Sequence, residues 1–291
     1  MVTLLCPVRT CHAPLTRGER RLTCPREHSF DVGRSGYVNL LQPQDRRSSR
    51  PGDSAETMQA RRRLLSRGLE ASFVKAIAEL GAVGRDDAVL EVGCGDGQYV
   101  ATLAGRAGGE GHGLDISVDA IDMAARQHPG LHWIVANADR FLPYADASFH
   151  VVASVTARTN AAEFRRVLRA DGSLLVVVPA ADDLIELRAA VLGDGIARDR
   201  SGGVIAALAP GFVLDRHERL RRVARLDPAA IHDVMAASYR GLRTSQRAAL
   251  ESLGDLDVTL ARDVLVFRPE ARGRAPRALT RPRAGNRRPA R

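Results

Sequence analysis

Between Ala88 and Pro179 the chain alternates short apolar runs with stretches whose apolar residues recur at helical spacing. The runs are "AVLEV" (88–92), "GHGLDI" (111–116), "LHWIVAN" (131–137), "SFHVVASV" (148–155) and "SLLVVVP" (173–179). The intervening "QYVATLAGRA", "SVDAIDMAARQH" and "AAEFRRVLR" read as helices, with Ser117 a good N-cap for the second. Short strands that are apolar on both faces and alternate with helices predict a parallel, doubly wound α/β sheet. Beyond Leu184 the pattern predicts a helix, the strand "ERLRRVARL" (218–226), a helix from Pro228 and another near Ser245. The strand "VTLARDVLVFRP" (258–269) follows, and these last two strands are expected to close the sheet.

Outside this body the pattern changes. Residues 1–41 are short, rich in Cys, His and Gly, and too poor in apolar residues to fold unaided. Residues 42–74 start as a polar Pro/Gly-containing connection, "QPQDRRSSRPGDSAETMQARRR", and turn helical near Ser54, a second N-cap candidate. The body spans 75–268, and the tail 269–291 has almost no apolar residues and is expected to be disordered. A chain of 291 residues suits one large domain, or a medium one with appendages. No window reaches the roughly 18 uninterrupted apolar residues of a membrane helix, and "MVTLLCPV" lacks the regions of a secretory leader. A cytoplasmic location is expected.

Charge divides the same way. Residues 1–63 hold 12 arginines against 6 acids, and 269–291 hold 8 against 1, whereas the middle is mildly acidic. Basic ends flanking an acidic body suit a polyanion held from the edges. Lys75 is the sole lysine, so part of the arginine excess also fits biased base composition.

The sharpest chemical signal is "VLEVGCGDGQYV" (89–100). Gly93, Gly95 and Gly97 follow Glu91 at the carboxyl end of the first strand of the body, where a nucleotide-type crevice belongs. A dinucleotide site uses G-x-G-x-x-G and a P-loop ends in Gly-Lys-Ser/Thr; here the spacing is G-x-G-x-G with Asp96 inside the loop. Carboxylates beside the turn repel a pyrophosphate and welcome a cation, which fits the sulfonium of S-adenosylmethionine. Asp115, 18 positions after Gly97 at the end of the second strand, is placed to accept both ribose hydroxyls. Asp139, in "NADRF", is placed to meet the adenine amino group. Cys94 reads as a small residue filling the turn.

Cys24 and His28, in "CPREHSFDVGRSGYVNLL", have the spacing of half a zinc site. Cys6 and Cys11 are the obvious second pair, with His12 competing for one position. Four residues separate Cys6 from Cys11, where two would be usual.

The glycine loop, Asp115 and "LRADGSLLVVVP" resemble the class I S-adenosylmethionine-dependent methyltransferases across about residues 75–180. With the knuckle and "RPGDSAETMQARRRLL" included, the chain resembles the bacterial 23S ribosomal RNA guanine-N1 methyltransferases, a group with macrolide-resistance members. That resemblance implies a class I (Rossmann-like, mostly parallel doubly wound) α/β fold behind a zinc segment that helps hold a large-subunit RNA hairpin, and a homodimer. It gives zinc to Cys6, Cys11, Cys24 and His28, and the cofactor to Glu91, Gly93, Gly95, Asp96, Gly97 and Asp115. The chain departs from it at Glu70, where the family has an aromatic residue, and at Asp183, where it has a histidine.

Guanine N1 carries a proton at neutral pH, so an acceptor must take it. Asp183 and Glu186, one helical turn apart beyond the fifth strand, are the candidates; both also suit a helix N-terminus. Arg46–Arg63 are expected to contact phosphates, and Phe30, Tyr37 or Trp133 to stack on a base, with Trp133 better suited to the core. Two other functions fit the same residues: a methyltransferase for a small metabolite, and a non-catalytic zinc-bearing RNA-binding protein.

Overall fold

The computed structural model describes residues 2–45, 51–238 and 244–270. The expected disorder of the tail, and the phosphate contacts expected of Arg46, Arg47 and Arg50, lie outside the described residues. The N-terminal part contains β1 (Thr16–Arg17), β2 (Arg21–Thr23), β3 (Ser29–Asp31) and β4 (Val38–Asn39). Helices α1 (Ala55–Ser66) and α2 (Ala71–Leu80) lead into β5 (Val89–Val92), α3 (Gln98–Ala107), β6 (Gly111–Asp115), α4 (Val118–Gln127) and β7 (His132–Val135). Next come β8 (Phe149–Val155), α5 (Ala161–Val167), β9 (Leu168–Pro179), α6 (Ile185–Leu192) and α7 (Ser201–Leu208). The last elements are β10 (Phe212–Leu226), α8 (Pro228–Ser238), α9 (Thr244–Glu251) and β11 (Leu256–Pro269).

Among the described residues one sheet runs β10-β11-β9-β8-β5-β6-β7-β4, and only β11 opposes its neighbours. Strand order reverses between β5 and β8, which puts a crevice at their carboxyl ends. The central strands are buried on both faces, as Val89, Leu90 and Val152 show, which is why they read as unbroken apolar runs. Ser54 and Ser117 both cap as the sequence predicts: each hydroxyl accepts an amide three residues on, Thr57 at 3.2 Å and Ala120 at 3.3 Å.

The N-terminal Cys/His segment is not separated from the body where composition changes. β4 lies inside residues 1–41, yet it forms the outer strand of the main sheet, parallel to β7. Leu4 bridges Tyr144, and the Val2 amide donates to Glu110 at 2.8 Å. A segment with so little apolar surface of its own gains its core by borrowing the sheet's edge. Phe30, expected to stack on a base, is 8% exposed opposite Leu22 in the β2–β3 hairpin and belongs to that core. Trp133 is core as well; its ring lies against Gly97 and Gly113, and its Nε1 donates to the His128 carbonyl.

Residues 42–74 are likewise more than a connection. α1 packs on α8, where Arg63 forms a two-pronged ion pair with buried Asp233 (Nη2 to Oδ1, 2.7 Å). The stretch before α1 crosses the carboxyl end of β6: the Ser117 hydroxyl donates to the Asp53 carbonyl at 2.9 Å, and Gly52 sits so close that a Cβ would come within 2.7 Å of Ser117 Cβ. Arg61 pairs with Asp53 at 2.7 Å. Two of the arginines expected to contact phosphate, Arg61 and Arg63, are therefore engaged within the protein.

A cofactor cleft and a zinc ribbon

The glycine loop turns from β5 into α3 with Gly93, Gly95 and Gly97 all left-handed, at φ of 75°, 54° and 78°. Two of the three also have no room for a side chain. A Cβ on Gly93 would lie 2.4 Å from Ala157 Cβ, and one on Gly97 would lie 2.1 Å from the Trp133 ring. The loop is pinned to β6, because the Gly93 and Cys94 amides donate to the Leu114 carbonyl and the Gly95 amide to Asp115 Oδ2 at 3.1 Å. Its remaining side, toward the crevice, is open.

That crevice is a cleft of about 340 Å³. Its floor is the loop with Glu91, Gly93, Gly95 and Asp96; its roof is α1 and α8; its far end is the β9–α6 turn with Asp183 and Arg188. Glu91 is 1% exposed, and one oxygen accepts the Val100 amide at 2.8 Å. Burial, reinforced by Asp96 and Asp115, pushes its carboxyl well above the usual range, against the pull of that amide. A cation in the cleft would restore the ionised form. Burial also raises the Cys94 thiol, which suits a packed residue and not a nucleophile.

The other predicted cofactor and catalytic residues lie outside the lining of this cleft. Asp115 is covered by the Asp53 stretch, with Oδ1 accepting the Ser117 amide at 2.8 Å. Gly97 is turned into Trp133. Asp139 is exposed in the loop after β7, its nearest cation Arg158 at 3.5 Å, so nothing in its surroundings aims it at an adenine. Asp183 and Glu186 do not sit one turn apart on a helix: α6 starts at Ile185, after Leu184 adopts φ 56°, and Asp183 belongs to the preceding turn. Glu186 does not line the cleft either. Its oxygens accept the Thr259 amide at 2.8 Å and hydroxyl at 2.7 Å, fastening α6 to β11.

Asp183 does line the cleft, 8% exposed, and its Oδ1 accepts the Ala261 amide at 2.8 Å and Arg262 Nη1 at 2.5 Å. Oδ2 has no partner among the described residues. Arg262 also reaches Glu70 at 3.4 Å and lies over the Phe73 ring, 5.5 Å from its centroid. Glu70 and Asp183, the two departures from the family pattern, are thus joined through one arginine. Sequence reasoning missed Arg262, Arg188 and Asp53, and assigned Arg61 to RNA phosphate and not to this cleft. A charged pair within the otherwise apolar "VTLARDVLVF" was a signal for the first; the others carry none.

The four residues expected to hold a metal are brought together. Cys6, Cys11, Cys24 and His28 bring their donor atoms within 4.8 Å of one another. The gap from Cys11 Sγ to Cys24 Sγ is 3.7 Å, and His28 Nδ1 lies 3.5 Å from Cys6 Sγ and 3.4 Å from Cys24 Sγ. A tetrahedral zinc with ordinary bond lengths sets S···S near roughly 3.8 Å and S···N near roughly 3.5 Å, so these donors fit the ion. The wide Cys6–Cys11 spacing is taken up by a turn closed by the Cys11 amide on the Val8 carbonyl. His12 leaves the competition: its ring stacks on Phe141 at 4.2 Å.

The sheet order, the acid-flanked glycine loop at its switch point and the Cys₃His cluster define a class I S-adenosylmethionine-dependent methyltransferase with an N-terminal zinc ribbon. Comparison with known proteins agrees. Residues 89–172 match a methyltransferase domain family, and residues 4–49 match the family described as "RlmA, N-terminal", a zinc ribbon. The chain is 37% identical over 276 residues to the 23S rRNA (guanine(748)-N(1))-methyltransferase of Streptomyces fradiae, covering 91% of this chain and 96% of that one. It is 33% identical over 274 residues to YxjB of Bacillus subtilis (strain 168), also named for 23S rRNA guanine-N1 methylation, with 90% and 95% covered. Among solved structures, the Bacillus halodurans methyltransferase BH2331 shares the fold at a TM-score of 0.52 and 17% identity, spanning 68% of this chain and 98% of its own. The chain belongs to the 23S ribosomal RNA (guanine-N1)-methyltransferase family.

Proposed function

We propose that this protein methylates N1 of a guanine in a hairpin of 23S ribosomal RNA, with S-adenosylmethionine as donor and zinc holding the N-terminal ribbon. The observation that carries the reading is a cleft that holds both the acid-flanked glycine loop and Asp183, in a chain similar over nearly its whole length to enzymes named for that reaction. When bound, the donor supplies an electrophilic methyl group on a sulfonium. The residues of this chain supply the rest. Glu91 and Asp96 favour the positive charge and the Gly93–Gly97 turn admits the ligand backbone-close, while Asp115 is retained as a ribose contact only if the Asp53 stretch lifts off it. α1 and α8 exclude water, which aids an in-line displacement governed by alignment.

In this reading Asp183, through Oδ2, takes the N1 proton, while Arg262 holds the carboxylate in place through Oδ1. Glu186 acts only as a strut. Asp139 is retained as an adenine contact only if the loop after β7 turns inward. We retain residues 1–41 as the zinc-binding RNA-recognition segment, 42–74 as the stretch leading into the body, 75–268 as the methyltransferase domain, and the basic tail as an added RNA contact. A cytoplasmic, homodimeric enzyme follows from the resemblance, and self-protection against a macrolide is the physiological role it suggests. No helix among the described residues is long and apolar enough to cross a membrane.

The test is transfer of a labelled methyl group into 23S fragments and whole large subunits, followed by primer extension. A stop at one guanine supports the reading. Label in no RNA form, with cofactor bound, would sink it. Loss of macrolide susceptibility on expression tests the physiological role.

A further inference from the structure

The cleft is lined by arginines as well as by the carboxylates near the glycine loop. Among them are Arg188, Arg198 and Arg200. Arg198 and Arg200 are exposed at the mouth, but Arg188 on α6 is 6% exposed. Its Nη2 reaches the Ala181 carbonyl at 3.3 Å, and its Nε is buried with no acceptor among the described residues. Nε is enclosed, so the donor of this guanidinium that a ligand in the cleft can reach is Nη1, which has no partner among the described residues.

Guanine supplies one. N1 is flanked by the carbonyl oxygen O6, and removing the N1 proton moves negative charge onto that oxygen. Adenine has an amino group there, a donor facing a donor. We propose that Arg188 receives O6 of the target guanine, rejecting adenine and stabilising the charge that develops as N1 reacts. This rests on the guanine-N1 reading above. The N1–H bond breaks and its proton goes to Asp183 Oδ2. The N1 electron pair forms the new bond to the methyl carbon, and the carbon–sulfur bond breaks with its pair left on sulfur. Asp183, in the turn before α6, and Arg188, on α6, then act on neighbouring positions of one base edge.

The experiment uses the full-length, zinc-loaded protein as wild type, Arg188→Lys and Arg188→Met. Cofactor affinity by calorimetry serves as the check on folding and is expected to change less than about threefold. Hairpins carrying guanine or 6-thioguanine at the mapped position are compared, with a pH profile for each. On guanine, Arg188→Met is expected to lower kcat by roughly 100-fold, in the range for loss of one donor to a developing oxyanion. The deficit should shrink about tenfold or more with 6-thioguanine, whose N1 is more acidic, and shrink again as pH rises. A deficit equal on both bases and flat with pH, or no deficit in either variant, overturns the assignment. Wild-type methylation mapped away from guanine N1 overturns the reading beneath it, and is seen before any variant is made.

Discussion

Arg262 Nη1 lies 2.5 Å from Asp183 Oδ1 while its Nη2 lies 3.4 Å from Glu70 Oε1, so one buried guanidinium ties β11 to the turn before α6 and to the start of α2. Breaking it leaves two carboxylates facing each other at the cleft wall without their cation. Arg262→Met is expected to cost about 3–5 kcal/mol in urea unfolding, the usual result of orphaning one side of a buried pair. Glu70→Gln, at the longer and more exposed contact, should cost less than about 1 kcal/mol. Equal costs would show that Asp183 is not the principal partner.

Asp183 and Glu186 separate the proton acceptor from the strut. Asp183→Asn is expected to lower kcat by about 10²–10⁴-fold with cofactor binding retained. Glu186→Gln should leave kcat within about threefold and appear instead in stability. Burial raises the Glu186 carboxyl, but its bonds to the Thr259 amide and hydroxyl outweigh this and hold it below the ordinary range. A depressed carboxyl stabilises above its unfolded pKa and loses that contribution as pH falls through the folded one. Acid titration of wild type against Glu186→Gln checks the sign; a kcat loss in Glu186→Gln to match Asp183→Asn would contradict the division.

Glu91 has the opposite linkage. Its folded carboxyl is raised by burial and by Asp96 and Asp115, so the folded state holds a proton the unfolded chain has released. Stability should fall as pH climbs from the ordinary carboxylate range toward the folded pKa. Glu91→Gln is expected to stabilise the cofactor-free protein at neutral pH and to flatten that slope. It should also weaken S-adenosylmethionine binding by about 30-fold, the equivalent of ~2 kcal/mol for a buried charge partner. S-adenosylhomocysteine, which lacks the sulfonium charge, should be affected less, and a larger loss for it would rule out the electrostatic role.

Gly97 meets two constraints at once, φ of 78° and the Trp133 ring. Gly97→Ala is expected to cost about 2–4 kcal/mol, summing left-handed strain and overpacking. Trp133→Leu in the Gly97→Ala background should recover part of the clash but none of the strain. A fully additive double-mutant cycle would show the ring is not what the methyl group strikes.

Metal analysis should return one zinc per chain. Cys24→Ser or His28→Ala is expected to lose it and to unfold the ribbon, because small zinc units draw their folding free energy from the ion. Exposed edges of β4 and β7 would then give earlier protease cleavage near residue 40, read by mass spectrometry. Full zinc retention in both variants would refute the ligand set.

The fold was legible because each signal for it is local. Doubly buried strands such as Val89–Val92 read as apolar runs, with Glu91 the functional exception, and Ser54 and Ser117 announce helices through bonds only three residues long. The glycine loop and the zinc ligands could be read for a related reason: left-handed backbone and tetrahedral donors each demand particular residue types at short spacing. What the order of residues could not show was which charges would meet. Arg262 lies 79 positions from Asp183 and 192 from Glu70, and their contact exists only because β11 enters the sheet beside β9. The same folding step fastens Glu186 to Thr259, sets Asp183 and Arg188 at one end of a cleft, and lays Asp53 over Asp115. Sequence alone determined the sheet, the bend and the metal knuckle, since their causes are near neighbours. Tertiary structure decided which carboxylates face the cleft and which are consumed as struts, since a charge takes its role from whatever distant group the packing brings within about 4 Å of it.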